Sequence, residues 1–150
     1  MRTQAGDISV VICAHTEARW EQLVRAVESL RRQSLAPREI LVVIDHNLAL
    51  ADRACHQLAD TRVIENSGRH GISGARNSGI AAARGGVVAF LDDDATAAPD
   101  WLEQLLASYS SPSILGVGGA IEPHWQGRRP RWFPARWPHV LSILPEPRPG

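Results

Sequence analysis

The sequence has no lysine; all sixteen of its basic side chains are arginines. Chemistry that runs through a lysine amine is excluded, and an anion must be held by guanidinium groups, backbone N–H groups or a metal. Cysteine is scarce too. Cys13 and Cys55 match neither a zinc-ligand spacing nor a disulfide framework, so both read as buried thiols. Net charge is missing as well, because sixteen acidic residues balance the arginines. That balance predicts no bulk attraction to nucleic acid or to an anionic membrane. No apolar run approaches the roughly 20 residues of a membrane helix, and Met1 to Asp7 lacks the basic and apolar regions of a signal peptide. The expected location is the cytoplasm, with no membrane segment in this chain. His15, His46, His56, His70, His124 and His139 match no metal motif and read as surface or loop residues, His15 and His46 lying near a strand end.

What is present suits one packed domain: 150 residues, 44% of them hydrophobic. Ile8 to Ala14 is an apolar, β-branched run of the kind buried in a parallel sheet. Trp20, Leu23, Val24, Val27 and Leu30 then recur at helical spacing, predicting a helix from Glu17 to Gln33 with Thr16 as N-cap. Ile40 to Ile44 is a second strand, Leu48, Ala51, Cys55 and Leu58 a second helical stripe, and Arg62 to Glu65 a short third strand. Gly71 to Arg84 reads as a closely packed helix with Ile72, Ala75, Gly79 and Ile80 on one face. Val87 to Leu91 is strand four, Pro99 suits the first turn of a helix carrying Trp101, Leu102, Leu105 and Leu106, and Ile114 to Ile121 is a fifth apolar segment.

This alternation predicts an α/β fold: an open, mostly parallel sheet with helices on both faces. Such sheets bind ligands at the carboxyl ends of their strands, where His15 to Glu17, Asp45 to Asn47, Glu65 to Ser67 and Asp92 to Asp94 all fall. The pattern covers residues 1–123. Residues 124–150 are irregular, with Trp125, Trp132 and Trp137 among prolines and arginines, and read as the remnant of a truncated chain.

The densest signal is Asp92-Asp93-Asp94, directly after strand four. At about 5 Å separation and an effective dielectric near 20, each like-charge pair costs on the order of 3 kcal/mol, so the triplet calls for a cation. In an extended segment Asp92 and Asp94 point one way and Asp93 the other, leaving room for one divalent ion.

With these residues in view the chain resembles the nucleotide-sugar-dependent glycosyltransferases of family 2, which have the GT-A fold. Val10 to Glu17 is similar to the family's first strand and loop, with Cys13 in the place of its usual proline and His15 in that of its tyrosine. Val42-Val43-Ile44-Asp45 is similar to the second strand with its terminal acid, followed here by His46-Asn47. Gly71-Ile72-Ser73-Gly74-Ala75-Arg76-Asn77-Ser78-Gly79 resembles the family's Gly-x-x-x-Ala-Arg-Asn-x-Gly segment, and Asp92 to Asp94 stands where its Asp-x-Asp element does. The resemblance implies a nucleotide site made of Ala14, His15, Thr16, Glu17, Asp45, Arg76, Asn77, Asp92 and Asp93, with Asp45 accepting hydrogen bonds from the base. It implies Mg²⁺ or Mn²⁺ on Asp92 and Asp94, and a nucleotide-sugar donor whose sugar passes, with inversion, to an acceptor hydroxyl on a saccharide, lipid or small molecule. The ion would neutralise charge developing on the departing diphosphate.

The family's base lies in a later acidic pair, whereas after Asp100 only Glu103, Glu122 and Glu146 remain; no catalytic residue is assigned. Two other readings share residues with this one. Asp92-Asp93-Asp94-Ala95-Thr96 matches the nucleophile loop of haloacid-dehalogenase-like Mg²⁺-dependent phosphatases, and a non-catalytic nucleotide-binding remnant would keep the donor site without the base.

Overall fold

The computed structural model describes residues 7–111, 113–125, 127, 128 and 131. Its elements run β1 (Ile8–Ala14), a 3-10 turn (Glu17–Arg19), α1 (Trp20–Arg31), β2 (Glu39–Ile44), α2 (Leu48–Gln57), β3 (Arg62–Glu65), α3 (Ile72–Ala82), β4 (Val87–Asp92) and α4 (Trp101–Ala107). The chain divides into two units, residues 1–108 and 109–150, and all these elements lie in the first.

The four strands form one parallel sheet in the order β3-β2-β1-β4. Parallel strands buried on both faces need apolar side chains on both, and β1 and β2 meet that need: Val10, Val11, Ile12, Leu41, Val42 and Val43 are fully buried. Val10, Ile12, Val42 and Ile44 face one core, closed by α1, α2 and α4 through Leu23, Val27, Leu30, Leu50, Ala54 and Leu102. Val11, Leu41 and Val43 face the other, closed by Ala75 of α3. Helix α3 comes very near the sheet because Gly79 has no side chain; a Cβ there would lie 2.5 Å from Val11 Cγ1.

Buried polar side chains fix how the helices attach. Gln33, after α1, donates from Nε2 to the Ala98 carbonyl (2.6 Å) and accepts at Oε1 from the Leu102 N–H (3.0 Å). Ser29 Oγ accepts from the Ala97 N–H at 3.0 Å. These bonds hold the start of α4 and the segment before it against α1. The order of the strands also places a crevice. The chain steps outward from β1 to β3 and then returns to the other side of β1, so the switch point lies between β1 and β4, where Cys13 pairs with Asp92.

Several expectations are corrected. Ile114–Ile121, the fifth apolar segment, is assigned no strand: its glycines have poor β-propensity, and Leu115 is exposed. The helix expected from Glu17 breaks into a 3-10 turn before α1, and Thr16 caps that turn by accepting from the Ala18 N–H at 3.2 Å. The stripe of α2 is Leu50, Ala51 and Ala54, continued by Leu58; Leu48 and Cys55 point to solvent because Asn47, capping the helix through the Leu50 N–H, sets its phase. On α3 only Ala75 and Gly79 are buried, and Ile72 and Ile80 are half exposed.

The thiols therefore differ. Burial first, then the charges of Asp92, Asp45 and Asp93 against the opposing Arg76, push the Cys13 thiol up to about 11. With a neutral, partly buried Cys13 and an exposed Cys55, iodoacetamide at neutral pH is expected to label Cys55 at least tenfold faster. Mass spectrometry of the peptides checks this.

Candidate functional site

The site grows from the carboxyl ends of β1, β2 and β4. The Asp45 N–H continues the ladder by donating to the Ala14 carbonyl (2.8 Å), and the Asn66 N–H does the same to Ile44 (2.8 Å), so both side chains emerge at fixed places beyond the sheet. Both are buried, Asp45 being 6% and Asn66 5% exposed. A buried carboxylate needs donors, and Asp45 has them. Oδ1 accepts from Asn66 Nδ2 at 2.6 Å and lies 2.9 Å from His46 Nδ1, while Oδ2 accepts from the Gly71 N–H at 2.8 Å and lies 3.6 Å from His70 Nδ1. The two imidazoles flank the carboxylate with ring centroids 5.3 Å apart.

Asn66 extends this hub. Its Nδ2 also donates to the Arg69 carbonyl (2.9 Å), and its Oδ1 accepts from the Gly68 N–H (2.9 Å) and from Ser78 Oγ (2.9 Å). The loop from Asn66 to Gly71 is thus drawn onto Asp45, and Gly74 lets it pass, because a Cβ at Gly74 would overlap the Arg69 carbonyl.

Burial pushes the Asp45 carboxyl up, but the hydrogen bonds from Asn66, His46 and the Gly71 N–H, with the charge of His70, outweigh it and hold the group at about 2, below its ordinary 3.8. A lowered folded value contributes stability above pH 4 that is lost as pH falls through 2, roughly 2 kcal/mol in all. Urea unfolding at pH 6 and pH 3 is therefore expected to show a smaller stability loss for Asp45→Asn than for the unmodified chain.

At the switch point β4 ends at Asp92, and Asp93 and Asp94 form a turn, with the Ala95 N–H donating to the Asp92 carbonyl at 3.1 Å. The turn replaces the extended segment that the alternation assumed, and Asp92, Asp93 and Asp94 all line one cleft of about 420 Å³ with Cys13, His15, Arg19, Asp45, His70, Gly71 and Ile72. The triplet already has cations. Arg19 Nη1 lies 3.0 Å from Asp93 Oδ1 and 3.5 Å from Asp94 Oδ2, and Arg76 Nη2 lies 3.3 Å from Asp92 Oδ1. Arg76 is also seated over the Phe90 ring, 5.5 Å from its centroid. The hydrogen bond to Asp93, reinforced by the charges of Asp93 and Asp94, raises the Arg19 guanidinium above its ordinary value. Asp93 is 5% exposed, and its Oδ2 is buried without a hydrogen-bond partner among the described residues.

Of the residues expected at the site, His15, Asp45, Asp92, Asp93 and Asp94 line the cleft. Ala14 is buried at the end of β1, Thr16 caps the turn carrying Arg19, and Arg76 reaches the cleft edge through Asp92. Glu17 turns instead to Arg53 (3.6 Å), which stacks on Trp20, and Asn77 is exposed on α3 outside the cleft lining. The sequence reading missed Arg19 and His70, and it placed Asn66 at a strand end, within Glu65 to Ser67, without giving it a role. Arg19 lies 74 positions before Asp93, and no local pattern links them.

The fit to a divalent ion follows from these donors. Among the described residues no three His, Cys, Asp or Glu side chains converge on one metal position. Asp92 and Asp94 offer two hard carboxylates, which suits Mg²⁺ or Mn²⁺ when substrate phosphates and water complete the shell. The orphaned Asp93 Oδ2 adds a buried acceptor beside them.

An open parallel sheet with acidic groups gathered at its switch point defines an α/β domain of the GT-A type. The chain belongs to glycosyl transferase family 2, whose model matches residues 9–148. It is 38% identical over 131 residues to a glucosyl-dolichyl phosphate glucuronosyltransferase of Haloferax volcanii, covering 85% of this chain and 42% of that protein. It is 32% identical over 127 residues to a pre-mycofactocin glycosyltransferase of Mycobacterium tuberculosis, covering 83% and 25%. The chain thus spans less than half the length of these relatives. Among solved structures, it is similar to a mannosyltransferase of Pyrobaculum calidifontis in complex with GDP-Man and Mn²⁺, with a TM-score of 0.60, 22% identity and coverage of 75% of this chain and 35% of that one. It is also similar to TarS of S. aureus in complex with UDP, with a TM-score of 0.53, 20% identity and coverage of 67% and 31%. These likenesses establish the fold. Among the described residues no helix is long and apolar enough to cross a membrane.

Proposed function

We propose that residues 1–123 form the donor-binding part of a glycosyltransferase that takes a sugar from a nucleoside diphosphate and transfers it, with inversion, to an acceptor hydroxyl. The observation that carries this reading is the cleft itself: a buried, hydrogen-bonded Asp45 at one end and three carboxylates at the other, joined across the ends of β1, β2 and β4. A nucleoside diphosphate has the matching parts, a polar base and a metal-binding diphosphate. The Haloferax relative's name as a glucuronosyltransferase and the GDP-Man, Mn²⁺ and UDP in the two structures support the same ligand class.

In this reading Asp45 and the loop it holds meet the base, His15 and the Gly71 backbone wall the cleft, and Asp92 and Asp94 hold Mg²⁺ or Mn²⁺. When bound, the ion supplies Lewis-acid stabilisation of the leaving diphosphate. Arg76 pairs with Asp92 at the cleft edge, and Arg19 pairs with Asp93 and Asp94. With no lysine in the chain, phosphate charge falls to Arg19, the ion and backbone N–H groups.

Calorimetric titration with UDP, GDP and dTDP in the presence of Mn²⁺ tests the reading. Saturable heat with at least one nucleotide is expected, and no heat with any of them overturns it. Hydrolysis of a simple phosphate ester that is abolished by Asp92→Asn would establish the phosphatase reading in its place.

A further inference from the structure

Arg19 stands where a cation is wanted. Its guanidinium bridges Asp93 and Asp94, and Asp94 is one of the two carboxylates assigned to the metal. The two contacts are unequal. Asp93 is buried and accepts a hydrogen bond at 3.0 Å, and its Oδ2 has no hydrogen-bond partner among the described residues. Asp94 lies at 3.5 Å, beyond the usual hydrogen-bond range, and its side chain is 52% exposed. A guanidinium anchored on Asp93 can therefore release Asp94 while remaining in place.

Charge points the same way. With Arg19 and Arg76 paired to the triplet, one negative charge is left uncompensated. That is a weak attraction for a dication alone, and the described residues offer no cage of three side-chain ligands to add to it. A diphosphate contributes its own negative charges and oxygens, and it offers the planar Arg19 guanidinium a bidentate partner in exchange for Asp94.

We infer that Arg19 is a resident counter-cation that competes with the divalent ion for Asp94 and yields it when a nucleoside diphosphate enters, so that metal and nucleotide bind together. The inference rests on the nucleotide-sugar reading above. It makes Arg19 a positioning residue that sets the order and coupling of binding, and it gives the chain weak metal affinity until a diphosphate is present.

The test measures free Mn²⁺ by electron paramagnetic resonance, with and without UDP or GDP, for the unmodified chain, Arg19→Gln and Arg19→Lys. Without nucleotide, Arg19→Gln, which keeps a donor for Asp93 and removes the charge, is expected to bind Mn²⁺ about tenfold more tightly than the unmodified chain. Arg19→Lys is expected to bind as weakly as the unmodified chain. Nucleotide is expected to tighten Mn²⁺ binding by about tenfold or more in the unmodified chain and by less in Arg19→Gln. An Arg19→Gln chain that binds Mn²⁺ no more tightly, or an Arg19→Lys chain that binds as tightly as it, overturns the inference while leaving the donor site standing. Absence of Mn²⁺ binding by the unmodified chain with either nucleotide overturns the donor-site reading and the inference with it. On the unmodified chain alone, the ¹⁵Nε resonance of Arg19 is expected to shift when Mg²⁺ and the nucleotide are added together, and an unmoved resonance overturns the exchange of partners.

Discussion

Replacing Asn66 by Ala is expected to destabilise the chain by about 2–4 kcal/mol and to remove most of its nucleotide affinity. The size of the effect comes from position. Asn66 is buried, and its amide bonds at once to the Asp45 carboxylate, the Arg69 carbonyl, the Gly68 N–H and Ser78 Oγ. Truncation leaves a buried carboxylate short of its 2.6 Å donor and frees the loop that brings the Gly71 N–H to the other oxygen of Asp45. Hydrogen bonds to a charged group are worth about 1.5–3 kcal/mol, and the partners left behind add desolvation cost. Urea unfolding and nucleotide titration of the same preparation check both halves. A stability change under 0.5 kcal/mol would show that Asp45 draws its support from His46 and Gly71 alone.

Asp94→Ala is expected to do the reverse, sparing the fold and removing the ligand. Its side chain is half exposed and its contact with Arg19 is loose, so stability is expected to change by less than about 0.5 kcal/mol. Affinity for a nucleoside diphosphate in Mn²⁺ is expected to fall about 100-fold, the loss of one of the two carboxylates proposed to hold the ion. Calorimetry in Mn²⁺ and in a chelator separates the terms: the chelator weakens binding to the unmodified chain and leaves the Asp94→Ala chain nearly unchanged. Equal affinity of the two chains in Mn²⁺ would remove Asp94 from the metal site. The two substitutions together divide the cleft into a half that depends on folding and a half that depends on charge.

The fold was legible because its strongest signals are local. Runs such as Val10 to Ala14 and Leu41 to Ile44 are apolar at every position, which only a strand covered on both faces requires, and their alternation with helical stripes implies a parallel sheet. The Ile114–Ile121 segment misled because its apolar residues are interrupted by Gly116, Gly118 and Gly119, which have poor β-propensity, and no strand is assigned there. On helix α2 the expected Ala51 and Leu58 are buried, whereas Leu48 and Cys55 are exposed and Leu50 and Ala54 take the remaining core positions.

Asp45 and the Asp triplet were legible for another reason: carboxylates at the ends of buried strands need partners, and the fold puts those ends together. The partners themselves were hidden. Arg19, Asn66 and His70 are ordinary polar residues in sequence, and they gain their roles only when β1, β2 and β4 align their ends and the 66–71 loop folds back. The turn at Asp93 was hidden as well, since Ala95 closes it through a backbone bond to Asp92 that the run of acids does not encode.

The central claim is that a nucleoside diphosphate and its metal sit at the switch point between β1 and β4. Paramagnetic broadening on the ¹⁵N-labelled chain tests it most directly, with Mn²⁺ added in the presence of UDP or GDP. The amide signals of Cys13, Ala14, Gly71 and Asp92 to Ala95 are expected to vanish first, while those at the opposite end of the strands, such as Arg38 and Gly85, stay sharp. Broadening centred elsewhere, or none with either nucleotide, would contradict the account.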